Sequence, residues 1–491
     1  MTDYDILIIG GGINGCAIAR EAALNGLSVL LVERDDLASH TSSASTKLIH
    51  GGLRYLEQYD FKLVAEALRE RERLIHAAPH LIRPMRFVLP HEHAVRPWWL
   101  VRAGLVLYDL LGGRMTLPRS RGLRAGDTAY SGPLKGGARG FVYSDAFVDD
   151  SRLTLANALD AAANGAEIAV RTALTSARRE GPDRDGAWRA WLSDGREVTA
   201  RALVNAAGPW VEQALGRLGI NAKGGVRLVK GSHIVVPRLY DGDHAYMLQQ
   251  PDRRIVFAIP YLDDFTEIGT TDVPVDRPED AVIADDEIAY LCDAANRHFT
   301  TQIAPRDVVS TWSGVRPLYD DGASAAQVVS RDYVLEMDEN GPPLLSVFGG
   351  KITTARHLAE EALGKLGPAL DRPVARVTRD RAFPGGDIGD WAGFLSRVRA
   401  RWPWLGDMRS ARMAHAYGAA LVAMLDGVAG EAGMGRAFAA GLTEREARWT
   451  HDREWARTPA DVLERRSKLG LMMTADERAA FAAWWDQTFG G

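Results

Sequence analysis

Three sets of residues have types and spacings that can do chemistry. Gly10, Gly12 and Gly15 stand in the spacing G-x-G-x-x-G, and an acid, Glu33, follows about 20 residues later. Gly10 permits a tight turn, Gly12 lets a pyrophosphate approach the backbone, and Gly15 lets a helix pack closely on a strand. The helix that starts there offers unpaired N–H groups to phosphates, and Glu33 can accept bonds from ribose hydroxyls. That acid argues against a ribose 2′-phosphate, hence against NADPH, and does not separate FAD from NAD. The second set is Thr46-Lys47-Leu48-Ile49-His50-Gly51-Gly52-Leu53-Arg54-Tyr55. It is denser in glycine and cations than a structural loop needs, and it suits an anionic substrate. The third set is Arg316 in WSGVRPLYD and Lys351 in FGGKITT, cations set among glycine and proline.

These residues need elements to position them. Residues 4–9, YDILII, read as a buried strand, 16–25 as a helix closed by Gly26, and 27–32 as a second strand that delivers Glu33. Strand, turn, helix, strand and acid in that order specify a dinucleotide site far better than the glycines alone. Residues 39–47, SHTSSASTK, add hydroxyls and a lysine that can bond a pyrophosphate and a long prosthetic group; Ser and Thr are also plain turn formers. Residues 202–210, ALVNAAGPW, bring small residues to a turn, which suits passage beside a cofactor or a simple Gly-Pro turn. Leu344–Phe348, the turn Gly349-Gly350 and a helix over 355–363 repeat the strand–glycine–helix arrangement.

Composition narrows the classes. The chain has 491 residues, enough for more than one domain. A net charge of -5 provides no basic field for nucleic acid. The two cysteines, Cys16 and Cys292, lie far apart, form no metal-like cluster and suit a reducing compartment. The start, MTDYD, has acids where a signal peptide has its basic region, so no signal peptide is expected. No apolar run reaches the roughly 20 residues of a spanning helix. The nearest is Trp98 to Leu111, WWLVRAGLVLYDLL, with Arg102 and Asp109 on one helical face. Two readings stay open for it: a core helix, or a helix lying on a bilayer surface.

The segments Ser42–Leu56 (SSASTKLIHGGLRYL), Lys230–Val235, Ile268–Val273, Trp312–Pro317, Phe348–Ala355 and Glu454–Leu471, taken with Gly10–Glu33, closely resemble the FAD-dependent, quinone-linked glycerol-3-phosphate dehydrogenases. The resemblance spans nearly the whole chain. It implies FAD, oxidation of sn-glycerol 3-phosphate to dihydroxyacetone phosphate, a membrane quinone as acceptor, peripheral attachment to the cytoplasmic face of the inner membrane, and a homodimer. On the cofactor it places Ile13, Asn14, Arg34, Thr41, Ser42, Ser45, Thr46, Lys47, Leu48, His50, Gly51, Gly52, Ala207, Gly208, Gly350, Lys351, Ile352 and Thr353, besides Gly10, Gly12, Gly15 and Glu33. The chain departs from the family's pattern at Glu464, which precedes Arg465-Arg466 where an aromatic residue is frequent, and at Ala416 before Tyr417-Gly418, where Arg is frequent. An oxidase using oxygen, or a related FAD-dependent hydroxy or amino acid oxidoreductase, would share many of these residues.

A phosphomonoester is near a dianion and needs several cationic donors, forked guanidinium groups above all. Arg54, Arg316 and Lys351 are the candidates, with Tyr55, Thr270 and Asp272 beside them. Asp272 can orient a histidine or an arginine, or merely make the turn before Pro274. Oxidising a carbinol also needs a proton acceptor, and His50 and His233 are the candidate bases; either can instead be a structural, hydrogen-bonded histidine. No metal is expected. The helix after Lys351 can turn its N-terminal dipole toward negative charge on a reduced flavin. The expected fold is a glutathione-reductase-like FAD domain from 1–80, 145–225 and 305–370, a D-amino-acid-oxidase-like antiparallel substrate domain from 81–144 and 226–304, and an all-helical domain over 385–491.

Overall fold

The computed structural model describes residues 2–92, 94, 96–137, 139–181, 186–220, 224–320 and 332–490. The first strand, β1 (Tyr4–Ile9), leads through the glycine turn into α1 (Ile13–Leu24) and then β2 (Val29–Val32). β1 is central in a sheet ordered Val334–Asp338, Leu344–Phe348, Glu197–Asn205, β1, β2, Glu167–Ala169. The pairs β1 with β2, β1 with Glu197–Asn205, β2 with Glu167–Ala169, and Glu197–Asn205 with Leu344–Phe348 are parallel. A parallel sheet must be covered on both faces, and β1 shows why its sequence is apolar without alternation. Ile6 and Ile8 join one core with α1 and the helices Asp150–Ala163 and Ala355–Ala369, while Leu7 joins another with Trp188, Val211 and Leu215. Small residues on α1, Cys16, Ala17, Ala19 and Ala22, are buried and let the helices approach closely. Burial also pushes the Cys16 thiol far up, so it is inert.

The second sheet begins with the short β3 (Leu48–Ile49) and, beyond α2 (Phe61–Ala77), continues with β4 (Ile82–Pro90). It is antiparallel apart from one parallel junction between β4 and Ala245–Gln249. Its long strand Gly225–Pro237 pairs with Ser310–Asp320 along eleven positions, from Gly225↔Asp320 to Val235↔Ser310. This differs from the expected division, in which 305–370 belonged wholly to the cofactor domain. Residues 310–320 continue the substrate sheet, and the chain returns to the cofactor sheet only at Val334–Asp338. Glycine and small residues at Gly231, Ser232, Ser313 and Gly314 let the strands pair closely, a local signal too weak to assign them a sheet. The expected ranges at 182–185, 221–223 and 321–331 lie outside the described residues.

α3 (Trp98–Leu111) buries one side of its surface and exposes another. Leu105 and Tyr108 are buried, whereas Trp99, Leu100, Val106 and Leu110 are exposed. Arg102 and Asp109 both bond Ser120, as their shared face requires. No helix of the described residues is long and apolar enough to cross a membrane. Every described element from Trp391 onward is helical. That region docks through buried ion pairs: Arg152 with Glu454 (2.9 Å), Arg466 with both oxygens of Asp36 (2.6 and 2.8 Å), and Lys468 with Asp149. Arg465 also bonds Asp36, while Glu464 stays exposed.

Between the two sheets runs residues 39–55. Lys47 holds this strip in place. Its Nζ donates to Asp150 Oδ1 (2.9 Å), Asp150 Oδ2 (3.0 Å) and the Ser43 carbonyl (2.9 Å), and its own carbonyl accepts from Val148 N (2.8 Å). Both charged side chains are almost fully buried. Removing one partner strands the other charge. Asp150→Ala is therefore expected to cost about 3–5 kcal/mol of stability in a denaturant titration, and the joint change Lys47→Met with Asp150→Leu considerably less.

Candidate active site

The cofactor cavity opens at the C-terminal end of β1. Gly10 has φ +109°, and a Cβ there would lie 2.5 Å from Ala206 O; a Cβ at Gly15 would lie 1.9 Å from Gly10 O. Only glycine lets the turn, Ala206 and α1 meet. Gly12 caps α1 with no side-chain bond, and Ser42 Oγ accepts from Ile13 N (2.9 Å). Gly11, given no role by the sequence motif, donates its N–H to Glu33 Oε2 (2.6 Å) and has no room for a Cβ against Glu33 and Leu37. Glu33 Oε1 accepts from Asp35 N (2.8 Å), and each carboxylate oxygen keeps a lone pair for a further donor. Burial holds this carboxyl above its usual range.

The far wall comes from Gly349 and Gly350, both at positive φ. Asn14 Nδ2 donates to Gly349 O (3.1 Å), while Asn14 Oδ1 is buried without a partner. The cavity is also bounded by Arg34, Thr41, Ala207, Gly208 and Trp210. Arg34 lies over the Trp210 ring at 4.1 Å. Thr172–Leu174 line it as well; nothing in their sequence marks them. An elongated pocket with a bare helix N-terminus, a glycine floor and an acid with free lone pairs suits a dinucleotide such as FAD.

The hydroxyl-rich segment is only partly a cofactor wall. Thr41 Oγ1 bonds Val315 O, Ser45 Oγ bonds Asp150, and Thr46 Oγ1 bonds His233 Nε2. Lys47, expected among the cofactor-binding residues, turns its ammonium to Asp150 and the Ser43 carbonyl. All three of its donors are spent on Asp150 and Ser43, because a buried cation takes the nearest anion. Leu48 is a core residue of the second sheet.

The substrate end adjoins this cavity. β3 stops at Ile49, Gly52 turns at φ +73°, and a 3₁₀ helix over Leu53–Gln58 carries Arg54 and Tyr55. Lys351 Nζ stands 4.1 Å above the Tyr55 ring. Among the described residues neither Arg54 nor Lys351 has an acid partner; their charges are left for a ligand. Arg316 is different. It bonds Asp272, Thr270 Oγ1 (3.1 Å) and Thr271 O (3.3 Å), so Thr270 and Asp272 orient this guanidinium. Ile352 and Thr353 form the turn before the helix Ala355–Ala369, and Thr353 Oγ1 lies 3.4 Å from His50 N.

The two histidines are linked through neighbouring strands of the second sheet. His233 pairs with Gly269, where a Cβ would lie 2.0 Å from the imidazole. Gly269 pairs in turn with Phe257, whose ring is edge-on to His50 at 6.5 Å. His233 also stacks on Trp312 at 5.4 Å, and its Nδ1 has no partner. Burial first, then Lys47 and Arg316, holds His233 well below its ordinary value. His50 is lowered by burial, with Lys351 and Arg71 acting the same way and Asp145 opposing. In both imidazoles burial favours the neutral form.

Comparisons with known proteins agree with this geometry. Residues 5–356 match the family model described as FAD dependent oxidoreductase (DAO). A glycerol-3-phosphate dehydrogenase of Pseudomonas aeruginosa is 50% identical, covering 97% of this chain and 93% of that protein. A D-erythritol 1-phosphate dehydrogenase of Brucella abortus is 46% identical over 98% and 97%. The crystal structure of glycerol-3-phosphate dehydrogenase from Bacillus halodurans complexed with FAD superposes with TM-score 0.74 at 26% identity, over 99% of this chain and 91% of that one. With its glycine-floored cavity and two-sheet architecture, the chain belongs to the FAD-dependent glycerol-3-phosphate dehydrogenase family, and FAD is its cofactor.

Proposed function

We propose that the protein oxidises the secondary hydroxyl of sn-glycerol 3-phosphate to give dihydroxyacetone phosphate, and passes the electrons to a membrane quinone. The observation that carries this reading is that Arg54, on the loop after His50, and Lys351, over the Tyr55 ring near His50, have no acid partner among the described residues, while Arg316, near His233, is oriented by Asp272. A phosphate dianion supplies the charge that this set lacks. Bound FAD supplies the acceptor for the hydride that leaves the carbinol carbon. The chain's part is to hold the phosphate, align that carbon and take the hydroxyl proton.

His233 is the base in this reading. With Nε2–H donated to Thr46 Oγ1, its Nδ1 lone pair is free to accept. Arg316 and Lys47 depress its basicity, and a phosphate on Arg316 offsets one of them, so the imidazole becomes a better base as substrate binds. His50 lines the same space from the Arg54 loop.

The exposed apolar face of α3 supports peripheral membrane association. Trp99, Val106 and Leu110 are joined by exposed Tyr59 and Phe61 on the segments that pack against α3, and a bilayer surface is the partner that takes such a face beside arginines.

Anaerobic addition of glycerol 3-phosphate to the FAD-loaded protein is expected to bleach the oxidised flavin absorbance, and a soluble quinone to restore it faster than air does. Bleaching by D-erythritol 1-phosphate alone would replace the substrate. Arg54→Ala, which leaves no stranded acid, should raise KM roughly 10- to 150-fold with FAD retained. His233→Asn should lower kcat by roughly 10²–10⁴. In co-sedimentation with anionic phospholipid vesicles, Trp99→Ser with Leu110→Ser should leave most of the protein in the supernatant; an unchanged pellet would remove α3 as the contact.

A further inference from the structure

The loop that carries His50, Arg54 and Tyr55 has little backbone pairing of its own. Leu48 and Ile49 pair with Phe147 and Ala146, and the pairing then ends. His50 N lies 3.4 Å from Thr353 Oγ1, and the amide after it, Gly51 N, donates to Tyr108 Oη at 2.8 Å, with Asp145 Oδ1 at 3.4 Å. Tyr108 Oη donates to the Asp145 carboxylate (2.8 and 2.9 Å). From the other side Arg71 Nη1 donates to Asp145 Oδ1 (2.7 Å) and to Ser144 O (2.8 Å). Tyr108, Asp145 and Arg71 are each no more than 1% exposed. Gly51 has no freedom to move against them, since a Cβ would lie 2.7 Å from Tyr108 Oη and 2.5 Å from Leu68 Cδ2.

We propose that Tyr108 and Asp145, backed by Arg71, are positioning residues for the substrate loop: they fix the Gly51 amide and thereby set where Arg54 and Tyr55 meet the substrate phosphate. None of the three touches that site. Stability alone does not call for them, because a buried polar cluster can be replaced by apolar groups of similar volume at little cost. One chain of their hydrogen bonds, from Arg71 through Asp145 to Tyr108, reaches the Gly51 N–H, three residues before Arg54. With the amide released, the Gly51-Gly52 pair is free to turn, and the 3₁₀ helix loses the anchor that precedes it. This inference rests on the reading that Arg54 binds the substrate phosphate.

Tyr108→Phe removes only the hydroxyl and keeps the ring in its core of Leu68, Leu105 and Tyr143. It is expected to raise KM for glycerol 3-phosphate at least tenfold, to change kcat less, and to leave FAD content unaltered. A purely structural role would lower the melting temperature and leave KM alone. The decisive reading is a double-mutant cycle with Arg54→Ala. If Tyr108 acts through Arg54, adding Tyr108→Phe to Arg54→Ala changes KM by less than threefold. Effects that multiply, or an unchanged KM in Tyr108→Phe, overturn the inference. Should that variant not fold, Asp145→Asn serves in the same cycle with the same expectation. An Arg54→Ala variant with unaltered KM would instead overturn the substrate reading itself, so the two failures are distinguishable.

Discussion

A buried ammonium needs an anion within bonding distance, and the arrangement of the whole site hangs on how Lys47 meets that need. Its partner, Asp150, opens the helix that packs on α1, so the pair ties the strip between the sheets to the helix over the cofactor turn. Two residues in that strip then face opposite duties. Thr46 holds the imidazole of His233, and Ser42 meets the first turn of α1. The cavity wall and the residue that bonds His233 are thus parts of one short segment, and neither can shift without disturbing the same ion pair.

How much of this was legible in the sequence follows from the range of each interaction. The first glycine turn, Glu33, the second strand–glycine–helix arrangement and the cations in glycine-rich turns were readable because each is specified within about 30 residues. The Lys47–Asp150 pair is not legible in the sequence, because the anion stands over a hundred residues away and nothing near Lys47 says so. The same limit hid the clamp on Gly51, whose parts come from α2, α3 and the strand Gly140–Val148. Residues 310–320 were assigned to the wrong sheet for a related reason: a strand's own pattern does not name its partner. The division into a cofactor sheet, an antiparallel sheet and a helical end was legible because composition and periodicity change between them.

Charge pairing differs among the cations: Arg316 is paired with Asp272, whereas Arg54 and Lys351 have no acid partner among the described residues. Arg20, Arg71, Arg152, Arg356 and Arg466 are buried beside carboxylates and contribute to assembly. Arg54 and Lys351 are held by backbone turns and an aromatic face instead. Leaving them without acids costs little while water reaches them, and it keeps the field strong where an anion must bind. Burial is the main cause that favours the neutral form of both histidines; Lys47 and Arg316 add to it at His233, and Lys351 and Arg71 at His50.

The order of strands in the cofactor sheet has a consequence for the birth of the protein. Its central trio is β1, Glu197–Asn205 and Leu344–Phe348, and the last wall of the cavity is Gly349-Gly350. A ribosome adding about 5–20 residues per second takes roughly 20–70 s to release that wall after it makes the first glycine turn. Until then the nascent chain carries half a sheet with an open edge and no closed seat for its flavin. Chains cut short before that point therefore present an unpaired strand edge to the cell, a form suited to chaperones and proteases. The vitamin-derived cofactor can be committed only to molecules whose synthesis is at least seven-tenths complete.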